Sequence, residues 1–127
     1  MVRFQFRRGV FVLLAIGTMA GSAAVAADGA AVFKASCVTC HGDNLDGNGP
    51  AGQYMNPKPR NLKTDKFKAG DDRESVRKTV ANGLKDTSMV GFSAQLKPDE
   101  LTAVVDFICQ QRGSCDGKPK AGKAKKK

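Results

Sequence analysis

The sequence predicts an all-α fold: a small domain of about three main helices joined by long loops. Three observations carry that prediction. No segment alternates apolar and polar side chains in the manner of a half-buried strand. Three stretches are helix-compatible and have capping residues at their ends. Between the first two lies a turn-rich region, Gly42 to Lys68, dense in Gly, Asn, Pro and Asp. A loop of that length is unusual in a compact domain unless it wraps a ligand or is otherwise functional.

Of the 127 residues, 1–26 read as a cleaved secretory signal peptide. Arg3, Arg7 and Arg8 form a basic start, Gly9 to Gly21 is an apolar run, and Ala24 and Ala26 stand in the Ala-x-Ala arrangement of a cleavage site. The competing reading is an uncleaved membrane anchor, for which the run is short. On either reading the remainder crosses a membrane. In a bacterium it would stand in the periplasm, where thiols tend to be oxidised.

The first helix is expected from Asp28 to Cys37, with Asp28 as N-cap and Phe33 four residues after Gly29. After the wrapping region the second begins at Asp71 or Asp72, carries Val76 and Val80 on one face, and stops at Asn82-Gly83. A loop from Leu84 to Leu96 holds Met89. The third helix has Pro98 at its first position, Asp99 and Glu100 at the positive end of the dipole, and Leu101, Val104, Val105 and Ile108 at helical spacing. Gly113 ends it. Residues 27–116 form the domain, and 117–127 is a Lys-rich tail, without apolar side chains after Gly117 except alanine, expected to be disordered.

Core material is thin, with no Trp, one Tyr and four Phe beyond the leader. A domain of about 100 residues so supplied is marginal on apolar burial alone, and a bound group filling its interior would help it. Charge is informative when divided. The formal net charge of +9 falls to +6 without the leader arginines, and residues 27–116 hold twelve basic and twelve acidic side chains. The excess is therefore the tail: Lys118, Lys120, Lys123, Lys125, Lys126 and Lys127.

Cys37-Val38-Thr39-Cys40-His41 is the central motif, because Cys-x-x-Cys-His is the attachment site of c-type haem. Two sulfurs at this spacing reach the two vinyl groups of one porphyrin, and the next imidazole is carried under the iron. A thioredoxin-like redox pair would need a βαβ context, which is missing here. A zinc site would need a fourth ligand, and the remaining cysteines, Cys109 and Cys115, suit a mutual disulfide across the turn after the last helix. The reading is thus one covalent haem c enclosed by helices and loops.

At this point the chain resembles the class I monohaem cytochromes c of bacterial, periplasmic type, over residues 28 to 112. Gly29 and Phe33, with Val104 and Phe107, resemble the crossed first and last helices of that family, Gly29 permitting close approach. Gly47, Gly49 and Pro50, the Pro57-x-Pro59 run, and Met89-Val90-Gly91-Phe92 resemble its loops. The resemblance implies axial ligation of the iron by His41 and Met89. Met55, the other methionine beyond the leader, is expected to pack or lie at the surface. It further implies that the Pro50 carbonyl accepts the Nδ1 proton of His41, and that Arg60 neutralises a haem propionate. Pro usually follows the family's methionine; Val90 stands here, which leaves the ligand loop more mobile.

The function so implied is soluble periplasmic transfer of single electrons, without catalysis. The alternative is an electron-transfer subunit of a periplasmic dehydrogenase or oxidase complex. Lys58, Arg60, Lys63, Lys66 and Lys68 form a basic run suited to redox partners with an acidic docking surface, and the tail suits weak association with anionic membrane. Nucleic acid is not an expected partner outside the cell.

Overall fold

A computed structural model describes residues 26–116. The tail over 117–127, and the leader apart from its last residue, lie outside them. Within the described residues the chain is helical: α1 (Gly29–Ser36), α2 (Val38–His41), a 3₁₀ turn (Gly52–Tyr54), α3 (Arg73–Asn82) and α4 (Pro98–Arg112). Extended pairing there is confined to two isolated bridges, Asp72 with Asp116 and Gly83 with Val90.

Each main helix starts where its sequence supplies acceptors for the first free N–H groups. Asp28 Oδ1 accepts from Ala30 N–H at 2.9 Å and Ala31 N–H at 3.4 Å. Asp72 Oδ1 accepts from Ser75 N–H at 2.9 Å, and its other oxygen from the Ser75 hydroxyl at 2.6 Å. α4 opens on Pro98, with Glu100 Oε2 accepting from Lys97 N–H at 2.8 Å, and ends before Gly113 at φ +87°. The first helix ends at Cys37 as expected. Cys37 leaves helical geometry at φ −121° and a separate one-turn helix, α2, follows.

The core forms where α1 and α3 pack on α4. Val104 and Val105 are fully buried, joined by Phe33, Val76, Val80, Leu101 and Ile108. Phe33 and Phe107 meet with ring centroids 5.4 Å apart and planes tilted by 48°, a favourable arrangement for aromatic quadrupoles.

The approach of α1 to α4 depends on Gly29. A Cβ there would overlap the Ala103 carbonyl oxygen and stand 2.9 Å from Phe107 Cβ. Backbone oxygen cannot rotate aside, so Gly29→Ala should push the helices apart. Overpacking of this kind costs roughly 1–3 kcal/mol, and each kcal/mol lowers Tm by roughly 4–8 °C in a domain of this size. Thermal unfolding followed by circular dichroism checks this; an unchanged Tm would show that the helices separate at no cost.

Candidate functional site

The Cys37 break organises the site. Its N–H still donates to the Phe33 carbonyl at 2.8 Å, while its own carbonyl accepts from Cys40 N–H at 3.2 Å and His41 N–H at 2.9 Å. A one-turn helix has no following turn to satisfy its carbonyls. The wrapping loop does so instead: Gly42 N–H donates to Val38 at 2.8 Å, Ala51 to Thr39 at 2.9 Å, Gly49 to Cys40 at 3.2 Å, and Gly47 to His41 at 2.9 Å. Such bonding needs direct backbone contact, and a Cβ on Gly49 would overlap the Val38 carbonyl oxygen and lie 2.7 Å from the Cys40 carbonyl carbon. The Gly-x-Gly-Pro run therefore grips the turn that carries both sulfurs and the imidazole.

Cys37, Cys40 and His41 line a cleft of about 660 Å³, inside the ~300–1,000 Å³ range of small-molecule and cofactor sites. Phe33, Val76, Val80 and Ile108 wall it from the helices, and Leu62, Phe67 and Phe92 from the loops. Met89 faces the same cleft, and so does Met55, which the sequence had placed in packing or at the surface. Lys58, Arg60 and Lys68 also line it while remaining exposed, giving that edge a cationic character.

Burial, reinforced by neighbouring Cys40, pushes the Cys37 thiol up to about 11. A redox-active Cys-x-x-Cys pair works by the opposite shift, toward thiolate. Burial also draws the His41 imidazole below the ordinary histidine range, the Arg60 backbone opposing in smaller measure. That favours the neutral, metal-ligating form. No three His, Cys, Asp or Glu side chains among the described residues form a metal-holding group. Two thiols, one imidazole and a thioether around an apolar cleft fit a covalently attached iron porphyrin instead.

The anticipated bond from His41 Nδ1 to the Pro50 carbonyl is not formed. That carbonyl sits at the start of the 3₁₀ turn and accepts from Gln53 Nε2 at 3.2 Å, and His41 Nδ1 is buried without a hydrogen-bond partner.

The Met89 loop is braced by its backbone. The Thr87 hydroxyl donates to the Leu84 carbonyl at 2.7 Å and accepts from Met89 N–H at 3.1 Å. Leu84 N–H donates to the Met89 carbonyl at 2.9 Å, and Phe92 N–H to Val80 at 2.9 Å, tying the loop to α3. Val90, which follows Met89, is 59% exposed.

Sequence reasoning missed Arg112. As the last residue of α4 it reads as a surface cation complementing the helix dipole, yet only 7% of it is exposed. Its acceptors lie 41 to 50 residues earlier in the chain, so no local pattern signals the contact. Beyond α4, the Cys109 and Cys115 sulfurs stand 2.07 Å apart with Cα atoms at 5.1 Å.

The family model for cytochrome c matches residues 26–112. Among curated proteins, the chain is similar to the cbb3-type cytochrome c oxidase subunit CcoP of Cereibacter sphaeroides, at 35% identity over 95 residues, covering 67% of this chain and 30% of that one. It is also similar to subunit FixP of Azorhizobium caulinodans, at 29% identity over 92 residues and 72% and 29% coverage. The chain thus spans less than a third of the length of these relatives. Among solved structures, the Kuenenia stuttgartiensis reducing HAO-like protein complex Kustc0457/Kustc0458 superposes with a TM-score of 0.60 at 26% identity, covering 65% of this chain and 40% of that one. The KustC0563 c-type cytochrome superposes with a TM-score of 0.52 at 26% identity, over 68% of this chain and 96% of that one. The match spans nearly all the described residues and agrees with the helical fold, so the chain belongs to the cytochrome c family, as a class I-like monohaem member carrying covalently bound haem c.

Proposed function

We propose that this chain is a periplasmic carrier moving one electron at a time between redox proteins, with haem joined through Cys37 and Cys40 and its iron held by His41 and Met89. The observation that carries the reading is that these four side chains line one cleft. Bound haem supplies the Fe(III)/Fe(II) couple there. His41, whose burial favours the neutral imidazole, would donate to the iron. The Met89 thioether, a soft neutral donor, favours Fe(II) and raises the potential over His alone. Phe33, Phe67, Val80 and Phe92 exclude water, which disfavours the more highly charged ferric state. With His41 and Met89 both holding the iron, the group would supply one-electron transfer rather than a site for substrate.

Lys58, Arg60 and Lys68 at the cleft's edge suit an acidic partner, steering encounters that weaken with ionic strength. Arg60 at that edge is also suited to pair with a haem propionate, its planar fork matching a carboxylate. The leader supports export, and an oxidising compartment supports a Cys109–Cys115 disulfide that secures the end of α4. The tail's lysines suit loose adhesion to anionic lipid.

A second reading, a subunit of a larger oxidase or dehydrogenase assembly, is favoured by the relatives' names. The carrier is favoured by the surface: only Tyr54 and Val90 are large exposed apolar side chains among the described residues, whereas permanent interfaces are broadly apolar. Redox titration of the purified protein with visible spectroscopy tests the proposal. One single-electron wave and a Met sulfur to ferric iron charge-transfer band are expected. A colourless protein, or a coloured one lacking that band, overturns it, and co-purification in fixed stoichiometry with a catalytic chain selects the second reading.

A further inference from the structure

We infer that Arg112 is a positioning residue for the haem site, fixing the loop wall of the cleft and thereby the potential of the bound iron. The inference rests on the proposed haem ligation. Arg112 Nη1 donates to the carbonyls of Leu62 at 2.8 Å and Asp65 at 2.9 Å, and Nη2 to Asp71 Oδ1 at 2.7 Å. The guanidinium carbon lies 3.8 Å from the centroid of the Phe67 ring. Asp71 Oδ1 also accepts from Phe67 N–H at 2.9 Å. One buried cation thus gathers both ends and the middle of the 62–71 segment.

That segment is a wall of the cleft. Leu62, Asp65 and Phe67 all line it, and none belongs to a helix. Irregular backbone has no continuous ladder to hold it; Leu62 N–H donates to the Leu45 carbonyl at 2.7 Å, tying one end to a neighbouring loop, and its other backbone bonds are local turns. Local anchors exist, since Asn61 Oδ1 accepts from Lys63 N–H and Asp65 Oδ2 from Asn61 N–H. They shape the turn from within without fixing it to the helices. Arg112 supplies that attachment, joining the wall to the end of α4, whose Ile108 lies on the cleft one turn earlier.

Removing the guanidinium acts on the iron with one sign through two routes. A loosened wall admits water, which stabilises the ferric state, and the Asp71 carboxylate left without its cation does the same. Both lower the potential. Bonds from a charged donor are among the stronger ones in a protein, and a loosened wall also eases displacement of Met89 by an outside ligand.

The test uses the holoprotein with Arg112→Met, Arg112→Lys and the double variant Arg112→Met/Asp71→Asn. Four quantities are read: covalent haem on a denaturing gel, reduction potential, affinity of the ferric protein for imidazole, and exchange of the Phe67 amide. Arg112→Met is expected to retain covalent haem, lower the potential, bind imidazole about tenfold more tightly, and exchange the Phe67 amide faster. Lysine, unable to span three acceptors or stack as a plane, should fall between, and the double variant should stay below wild type. Wild-type potential and imidazole affinity in Arg112→Met overturn the inference, even with a lowered Tm. So does full recovery by the double variant, which would make the effect one of charge alone. Should Arg112→Met not fold, Arg112→Lys decides: intermediate values support the inference and wild-type values overturn it. A wild-type protein without covalent haem would instead overturn the functional reading beneath it.

Discussion

Replacing both Cys37 and Cys40 with alanine is expected to abolish covalent haem attachment and leave a chain that does not hold its fold. Both thiols line the cleft, and neither is in a disulfide. Without thioether bonds, haem retention would fall to the proposed ligands His41 and Met89 alone, and loss of the group would leave a void bordered by Phe33, Phe67, Val80 and Phe92. The magnitudes decide the outcome. Unfilled apolar volume costs ~24 cal/mol per Å³ where walls cannot collapse. Even a third of that rate over a cleft of about 660 Å³ consumes much of the ~5–15 kcal/mol by which a domain is stable. Single variants should keep one thioether and reduced haem content. Haem staining after denaturing electrophoresis and far-ultraviolet circular dichroism measure both effects. A double variant that retains haem through denaturation would remove the cysteines from the attachment.

Legibility of the fold follows the range of the interaction. Asp28 and Asp72 cap their helices through groups two and three residues away, Pro98 opens α4 at its first position, and the spacing of Leu101, Val104, Val105 and Ile108 marks a buried face that the structure confirms. The end of the first helix at Cys37 was legible, but the separate turn after it was not. What holds α2 is the set of loop amides at Gly47, Gly49 and Ala51. The need for glycine at position 49 has the same origin, since its crowding comes from carbonyls of a different segment.

The site shows the same division. The motif named Cys37, Cys40 and His41 because its chemistry is packed into five residues, and the structure brings Met89 to the same cleft from nearly fifty residues away. The Pro50 contact did not follow, because a carbonyl's direction depends on the turn it opens, and here Gln53 takes it. Arg112 lay beyond sequence reasoning altogether: a cation at a helix end is ordinary, and nothing nearby announces that Leu62, Asp65 and Asp71 will close around it.

Met89→Ala is expected to retain covalent haem, lower the reduction potential, and open the iron to added ligands such as imidazole. The backbone around Met89 is bonded through Thr87 and Leu84, and neither bond uses the methionine side chain. The loop should therefore stay in place while the thioether disappears. Half-buried Met89 puts the stability cost near the lower end of the roughly 2–5 kcal/mol for Met→Ala. The redox effect is far larger in relative terms. Axial ligation spans about 0.8 V across haem proteins, and losing a soft donor that favours Fe(II) should shift the potential down by on the order of 0.1 V or more. Met55 makes the comparison decisive, because it lines the same cleft. Met55→Ala should keep both the sulfur to ferric iron band and the potential, while Met89→Ala loses both. The reverse pattern would transfer the ligand role to Met55 and make the Thr87-braced loop a wall of the cleft.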